Sequence, residues 1–278
     1  MTDYLAFIMP FGQNFDPESR TTGLFISWVS DAPNGFSDDH VEAIINLQPY
    51  LSLVAKLANK ESIAVNVMTA YLGENTAHQV MNGQIELGDG QDMRAVIWFC
   101  DLRNSTPLAE RLSKQAFLDM LNDYFAALAG SVLDHDGEVL RFIGDAALAI
   151  FPIAPDAFSE TGARTAALSA AREALTRADA MNQDRLTRGD EPFDFGIGLH
   201  VGEIMYGNIG VPSRLEFSVI GPAANEAARI ESMTKTLGEK IVVSSAFAEG
   251  PDEQWRDLGS HAIRGSAHEI RLFGLNDS

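Results

Sequence analysis

The sequence predicts an α/β protein, an α+β sandwich of the ferredoxin-like type, on three observations. From residue 94 onward, apolar and amphipathic stretches follow in the order strand, helix, two strands, helix, strand. Gly144-Asp145 divides two apolar runs as a hairpin turn, with glycine supplying the unusual backbone angle. Finally, 46% of the 278 residues are apolar, which is enough to build a substantial core.

The N-terminal elements come first. Residues 4–9 and 23–29 are rich in β-branched and aromatic side chains and predict strands, with 12–22 as the loop between them. Asp31-Ala32-Pro33-Asn34-Gly35 is a turn. Ser37-Asp38-Asp39 caps a helix whose apolar stripe includes Val41, Ile44, Ile45 and Leu47. Pro49 is expected to interrupt that stripe, and residues 51–57 resume it. Two strands and a helix are thin for an independent domain. Residues 61–85 predict a helical connector with Ile63, Val67, Ala70 and Tyr71 on one side, broken at Gly73. Gly88-Asp89-Gly90 then marks a boundary. The expected organisation is 1–60, a small α/β segment; 61–90, a helical connector; and 91–278, the main domain.

In the main domain, 94–99 reads as a buried strand. Residues 107–133 read as one helix, with Pro107 suited to its first turn and Gly137 beyond its end. Strands at 138–141 and 146–151 flank Gly144-Asp145. An alanine-rich helix follows over 159–186, then strands at 193–201 and 204–206, and a helix over 223–236. Ile241-Val242-Val243 and a hairpin through Ile263 and Ile270-Arg271-Leu272-Phe273 close the chain.

Charge and cysteine content narrow the function classes. With 39 acidic against 20 basic residues the formal charge is -19, which repels nucleic acids and anionic lipid. The single cysteine, Cys100, can make neither an internal disulfide nor a cysteine metal cluster, as expected of a reducing, cytoplasmic compartment. No apolar run approaches the roughly 20 residues of a membrane span, and the start lacks a basic stretch before an apolar one.

Two acidic motifs carry the chemistry. In Phe99-Cys100-Asp101-Leu102-Arg103-Asn104-Ser105-Thr106, one carboxylate ends an apolar strand beside backbone amides suited to phosphate oxygens. The short polar residues before Pro107 serve equally as a helix cap, so both roles stay open. In Arg141-Phe142-Ile143-Gly144-Asp145-Ala146, the aspartate is either a turn former or a second metal ligand. If the strands at 96–99 and 147–150 pair, both carboxylates meet at one sheet edge, where they suit a divalent cation and a triphosphate. Asn225 and Arg229, four apart, share one helix face after Gly221-Pro222. Arginine offers a fork of donors for phosphate and asparagine can orient a ribose, although such a pair is also an ordinary solvated face.

Together these residues resemble the catalytic domain of the class III nucleotidyl cyclases, the adenylate and guanylate cyclase family, which has a palm-type ferredoxin-like fold. The resemblance runs from Ala95 to Leu275 and adds Gly198-Leu199-His200-Val201-Gly202, Gly207-Asn208-Ile209-Gly210 and Asn225-Glu226-Ala227-Ala228-Arg229 to the two acidic motifs. It assigns Asp101, Leu102 and Asp145 to two divalent ions, Mg²⁺ or Mn²⁺. Asn104, Ser105 and Thr106 go to the substrate, and Asn225 and Arg229 to catalysis, supplied by the opposite subunit of a homodimer. It implies attack of a ribose 3'-hydroxyl on the α-phosphorus and release of pyrophosphate.

The base-reading positions depart from the usual adenylate cyclase pattern, carrying Arg141 in place of lysine and Ser218 in place of threonine or aspartate. Adenine, with an acceptor at N1 and a donor at its amino group, still suits a cation and a hydroxyl. Guanine needs an acceptor for its N1 proton. ATP is therefore the expected substrate. The alternatives are a guanylate cyclase and a catalytically silent nucleotide-binding or dimerisation module. A diguanylate cyclase is set aside because its Gly-Gly-Asp/Glu-Glu-Phe signature is missing. Glu203 stands where some members carry a basic residue, and Arg264 is a candidate phosphate contact or a surface hairpin cation. Residues 22–28 and 34–37 resemble, more weakly, the end of a GAF sensory domain, which implies an upstream sensory region.

Overall fold

The computed structural model describes residues 2–11, 23–83, 86, 88–154, 158–211, 213–249, 255–262 and 269–276. The loop expected at 12–22 and the strand residue Ile263 lie outside them. The chain divides into two compact units, Met1–Tyr71 and Leu72–Ser278.

In the first unit, β1 (Asp3–Pro10) and β2 (Gly23–Ser30) pair antiparallel from Asp3↔Ser30 to Pro10↔Gly23. Asp3 accepts from the Phe36 and Tyr4 amides at 3.0 and 2.8 Å, which holds its carboxyl below the usual range and pins the turn around Gly35. Helix α1 (Asp38–Leu72) begins with Asp38 and Asp39, favourable at the positive end of the helix dipole. It continues through Pro49, where the sequence suggested an interruption. Proline withholds one N–H, but good helix formers on both sides carry the ladder past it.

The second unit opens with α2 (Glu74–Met81), entered through Gly73 at φ 82°, a left-handed angle that ends α1. Strand β3 (Gly90–Leu102) is followed by α3 (Ser105–Arg111) and α4 (Lys114–Asp134). The single helix expected over 107–133 is thus two. Leu112 is extended, and the Ser113 hydroxyl accepts from the Ala116 amide at 3.2 Å, capping a new helix. Next come β4 (Glu138–Ile143), β5 (Ala146–Ile153), α5 (Glu160–Arg188), β6 (Phe195–Val211), β7 (Arg214–Ile220) and α6 (Pro222–Leu237). Then β8 (Ile241–Ser244), α7 (Ser245–Ala248), β9 (Trp255–His261) and β10 (Ile270–Leu275) complete it.

The two strands expected at 193–201 and 204–206 are one strand, β6, and its partner β7 went unforeseen. Gly202, in the gap between the two expected strands, makes room for a helix, since a Cβ there would fall 2.5 Å from the Ala223 Cβ of α6.

The mixed sheet runs β4-β5-β3-β6-β8-β10-β9, with β7 on β6 and only β6–β8 parallel. Its first four strands with α4 and α5 are the ferredoxin-like βαββαβ unit. Ala95, Val96, Ile97 and Trp98 are wholly buried, so β3 is covered on both faces and reads as a continuous apolar run. Trp98, Cys100 and Leu102 join Met120, Tyr124 and Leu128 of α4 and the alanines of α5 in one core. Ala95 and Ile97 join Leu148, Ile150 and the α6 residues Ala223 and Ala227 in another. Alternation along β3 then places Asp101 on the α6 side of the sheet.

Candidate active site

Asp101 lies one residue before the end of β3, opposite Ala146 of β5 and Gly196 of β6. Asp145 sits in the β4–β5 turn, where Gly144 takes φ 66°, and its carbonyl accepts from the Leu102 amide at 3.4 Å. The turn is thereby tied to the end of β3, and the two carboxyl groups come together. Asp101 is held above the ordinary carboxylate range by burial first and then by the Asp145 charge beside it. That is the electrostatic signature of a site short of positive charge, and a divalent cation between these oxygens would relieve it. Among the described residues no third His, Cys, Asp or Glu completes a metal-binding group.

Beyond Leu102, Asn104 adopts a left-handed φ of 58° at the start of α3, and its side chain makes no capping bond. A cavity of about 400 Å³ lies here, lined by residues 101–107 together with Glu231, Ser232, Thr234 and Lys235 of α6. Asn104, Ser105 and Thr106 therefore line a polar recess beside Asp101. Glu231 is pushed up to about 8, by burial first and by Asp101 next, with Thr234 and Arg103 acting against the shift. Sequence reasoning passed over Glu231. Its signal was the pair Gly196 and Gly198 on β6, where an added Cβ would meet Glu231.

Arg141 of β4 donates from Nη1 to the Ser218 hydroxyl of β7 at 3.3 Å, and its Nη2 pairs with Glu216. The structure thus brings the two expected base-reading residues together and adds a carboxylate. Glu216 was missed because β7 was missed. The alternation of Leu215, Phe217 and Val219 would have exposed the strand, and with it the shared face of Glu216 and Ser218.

Asn225 and Arg229 lie one turn apart on α6 and, among the described residues, neither side chain has an intramolecular hydrogen bond or ion pair. The buried residues of α6 are Ala223, Ala227, Ile230, Glu231 and Thr234. At about 100° per residue these centre roughly opposite Asn225, and Glu231 is about 200° around the helix from Arg229. The face that carries Glu231 toward Asp101 therefore turns Asn225 and Arg229 outward. Both stand available to something other than their own chain's carboxylate pair.

Two neighbouring groups are structural. His200 meets the Ser244 hydroxyl at 2.8 Å and Glu226 at 3.1 Å, and burial pushes its ring down to about 4. A neutral imidazole at pH 7 ties α6 to β6 and β8 rather than offering a cation to phosphate. Glu203 pairs with Arg94 at 3.4 Å on the surface. Arg264 lies outside the described residues.

The fold is that of class III cyclase catalytic domains. A family model described as the adenylate and guanylate cyclase catalytic domain matches residues 90–271, and the chain belongs to that family. It is 32% identical over 166 residues to an adenylate cyclase of Anabaena cylindrica, covering 58% of this chain and 32% of the relative. Among solved structures it is similar to the adenylyl cyclase CyaB from P. aeruginosa, with TM-score 0.62 and 25% identity over 68% of this chain and 97% of that one. It is similar also to the guanylyl cyclase Cya2, with TM-score 0.58 and 25% identity over 68% and 95%. The chain spans 32% to 40% of the length of the first curated relatives it matches. Among the described residues no helix is long and apolar enough to cross a membrane.

Proposed function

We propose that the chain is an adenylate cyclase that converts ATP to 3',5'-cyclic AMP and pyrophosphate at sites completed across a homodimer. The observation that carries this reading is the division of α6. Its inward face reaches toward Asp101 through Glu231, while Asn225 and Arg229 face outward with no side-chain partner among the described residues. One copy would supply the carboxylates and the next copy the amide and guanidinium.

In this reading Asp101 and Asp145, with the Leu102 backbone carbonyl, would hold two divalent cations, Mg²⁺ or Mn²⁺. When bound, these supply Lewis-acid stabilisation of the triphosphate and a more acidic 3'-hydroxyl. Asn104, Ser105 and Thr106 line the recess for the phosphates. Asn225 orients the ribose so that its 3'-oxygen stands in line with the α-phosphorus. That oxygen bonds to phosphorus as the bond to the pyrophosphate oxygen breaks, and the hydroxyl proton leaves to water. Arg229 donates to the phosphoryl oxygens as their charge develops, a contribution typically worth about 10² to 10³ in rate.

Arg141 and the acceptors beside it, Ser218 and Glu216, read the purine edge. A donor flanked by an acceptor suits adenine N1 and its amino group. The Glu216 carboxylate also favours a second reading, GTP, because it can accept the guanine N1 proton while Arg141 donates to O6. Incubating purified protein with ATP or GTP and Mn²⁺, and resolving cyclic products by mass, separates the two. Absence of any cyclic nucleotide would leave a silent nucleotide-binding module. We further propose a cytoplasmic protein in which 1–60 is a GAF-like segment and 61–90 couples a sensory region to the cyclase domain at 91–278.

A further inference from the structure

Helix α6 lies against β6 across a nearly bare strand face. Alternation turns positions 196, 198, 200 and 202 of β6 toward the helix, and all but His200 are glycines. A Cβ added at Gly196, Gly198 or Gly202 would run into Thr234, the Glu231 amide or Ala223 of α6, so the helix rests directly on the strand backbone. Such a surface sets the distance of the helix but, having no side chains to interdigitate, leaves its rotation free. His200 supplies what the glycines do not. It is buried, and its Nε2 meets the Glu226 carboxylate of α6 at 3.1 Å. Its Nδ1 meets the Ser244 hydroxyl at 2.8 Å, and the Ser244 oxygen in turn accepts from the Phe247 amide at 3.3 Å. Burial first, and the Arg94 charge next, keep the ring neutral. A neutral imidazole has one N–H, and a carboxylate can only accept. Nε2 therefore donates to Glu226 while Nδ1 accepts from Ser244.

We propose that His200, oriented by Ser244, is a positioning residue that acts through Glu226 to fix the rotation of the first turns of α6, and with it the placement of Asn225 and Arg229. It rests on the catalytic roles proposed above for those two residues. Helix α6 starts at Pro222, and its cap, Gly221, has no side chain to hold the first turn. Glu226 directly follows Asn225 and precedes Arg229 by three residues, within about 100° of both around the helix. A pull on Glu226 therefore sets the direction in which the amide and the guanidinium point. The carboxylate also stands in the N-terminal part of the helix, where the dipole favours it. Loss of the link would leave α6 seated on its glycines but free to turn.

Steady-state kinetics and melting curves on the full chain test it. Glu226→Ala should lower kcat about 10- to 30-fold while changing the KM for the nucleotide by less than about twofold. His200→Asn, whose shorter amide reaches Ser244 and not Glu226, should do the same. The double variant should be no slower than either single one, because both cut one link. His200→Gln, whose amide nitrogen stands in for Nε2, and Glu226→Gln, which keeps an acceptor, should stay within about threefold of the wild type. If the group served stability alone, the melting temperature would fall with kcat per folded enzyme unchanged, or the losses would multiply in the double variant. Either result overturns the proposal. An active wild type beside a Glu226→Ala variant of full kcat overturns this proposal alone, whereas a wild type that makes no cyclic nucleotide overturns the cyclase reading and this proposal with it.

Discussion

Arg141 donates to Ser218 at 3.3 Å although 77 residues separate them in the chain. The contact joins β4 to β7 and, with Glu216 on the other guanidinium nitrogen, builds a donor between two acceptors. Arg141→Ala should lower kcat/KM by roughly 10- to 100-fold, mostly through KM, because it removes a base contact and leaves Glu216 unpaired. Steady-state kinetics with ATP and GTP in parallel check this. An unchanged KM for both nucleotides would place the base elsewhere.

Asp101 is half-buried beside a like charge, so its ionised form works against the fold when no cation is bound. Asp101→Asn should therefore abolish cyclase activity, by about 10³-fold or more, while leaving the metal-free melting temperature unchanged or raised. Thermal denaturation in EDTA, alongside the assay, separates loss of chemistry from loss of fold.

Much of this was legible in the sequence, for physical reasons specific to each element. Strand β3 announced itself because a strand covered on both faces has no polar alternation, and the Gly144-Asp145 hairpin because only glycine takes its angle cheaply. The pairing of β3 with β5 that joins Asp101 to Asp145 followed from the order of elements. What stayed hidden depended on contacts between distant segments. Gly202 falls between two expected strands, and only the packing of Ala223 against it shows why the strand runs on through a glycine. The break at Leu112 rests on one serine hydroxyl within an otherwise helical stretch. Glu231 looks like a solvated helix residue until Gly196 and Gly198 bring β6 close beneath it.

Gly198 tests that close approach. A Cβ there would lie 2.5 Å from the Glu231 amide nitrogen and 2.7 Å from the Ala227 carbonyl, both backbone atoms of α6. Gly198→Ala should cost about 1–3 kcal/mol and shift the helix that bears Asn225 and Arg229. The expected kinetic result is a fall in kcat of about 10- to 100-fold with KM little changed, since sub-ångström placement governs the transition state.

Glu231 should give the fold a pH dependence. Its folded value, about 8, stands above the ordinary 4.5, so the protonated carboxyl favours the folded state. That contribution is complete below pH 4.5 and is lost as pH rises through about 8. Glu231→Gln should flatten the decline and raise the melting temperature at pH 8, by about 2–4 °C per kcal/mol relieved. Melting curves from pH 5 to 9, without metal or nucleotide, provide the comparison.

The most direct test mixes two inactive variants, Asp101→Asn and Arg229→Ala, under conditions that let subunits exchange. If each site takes its carboxylates from one chain and its guanidinium from the other, mixed dimers hold one intact site. Random exchange then restores about a quarter of wild-type activity. Activity that stays at the level of the separate variants would contradict the shared site.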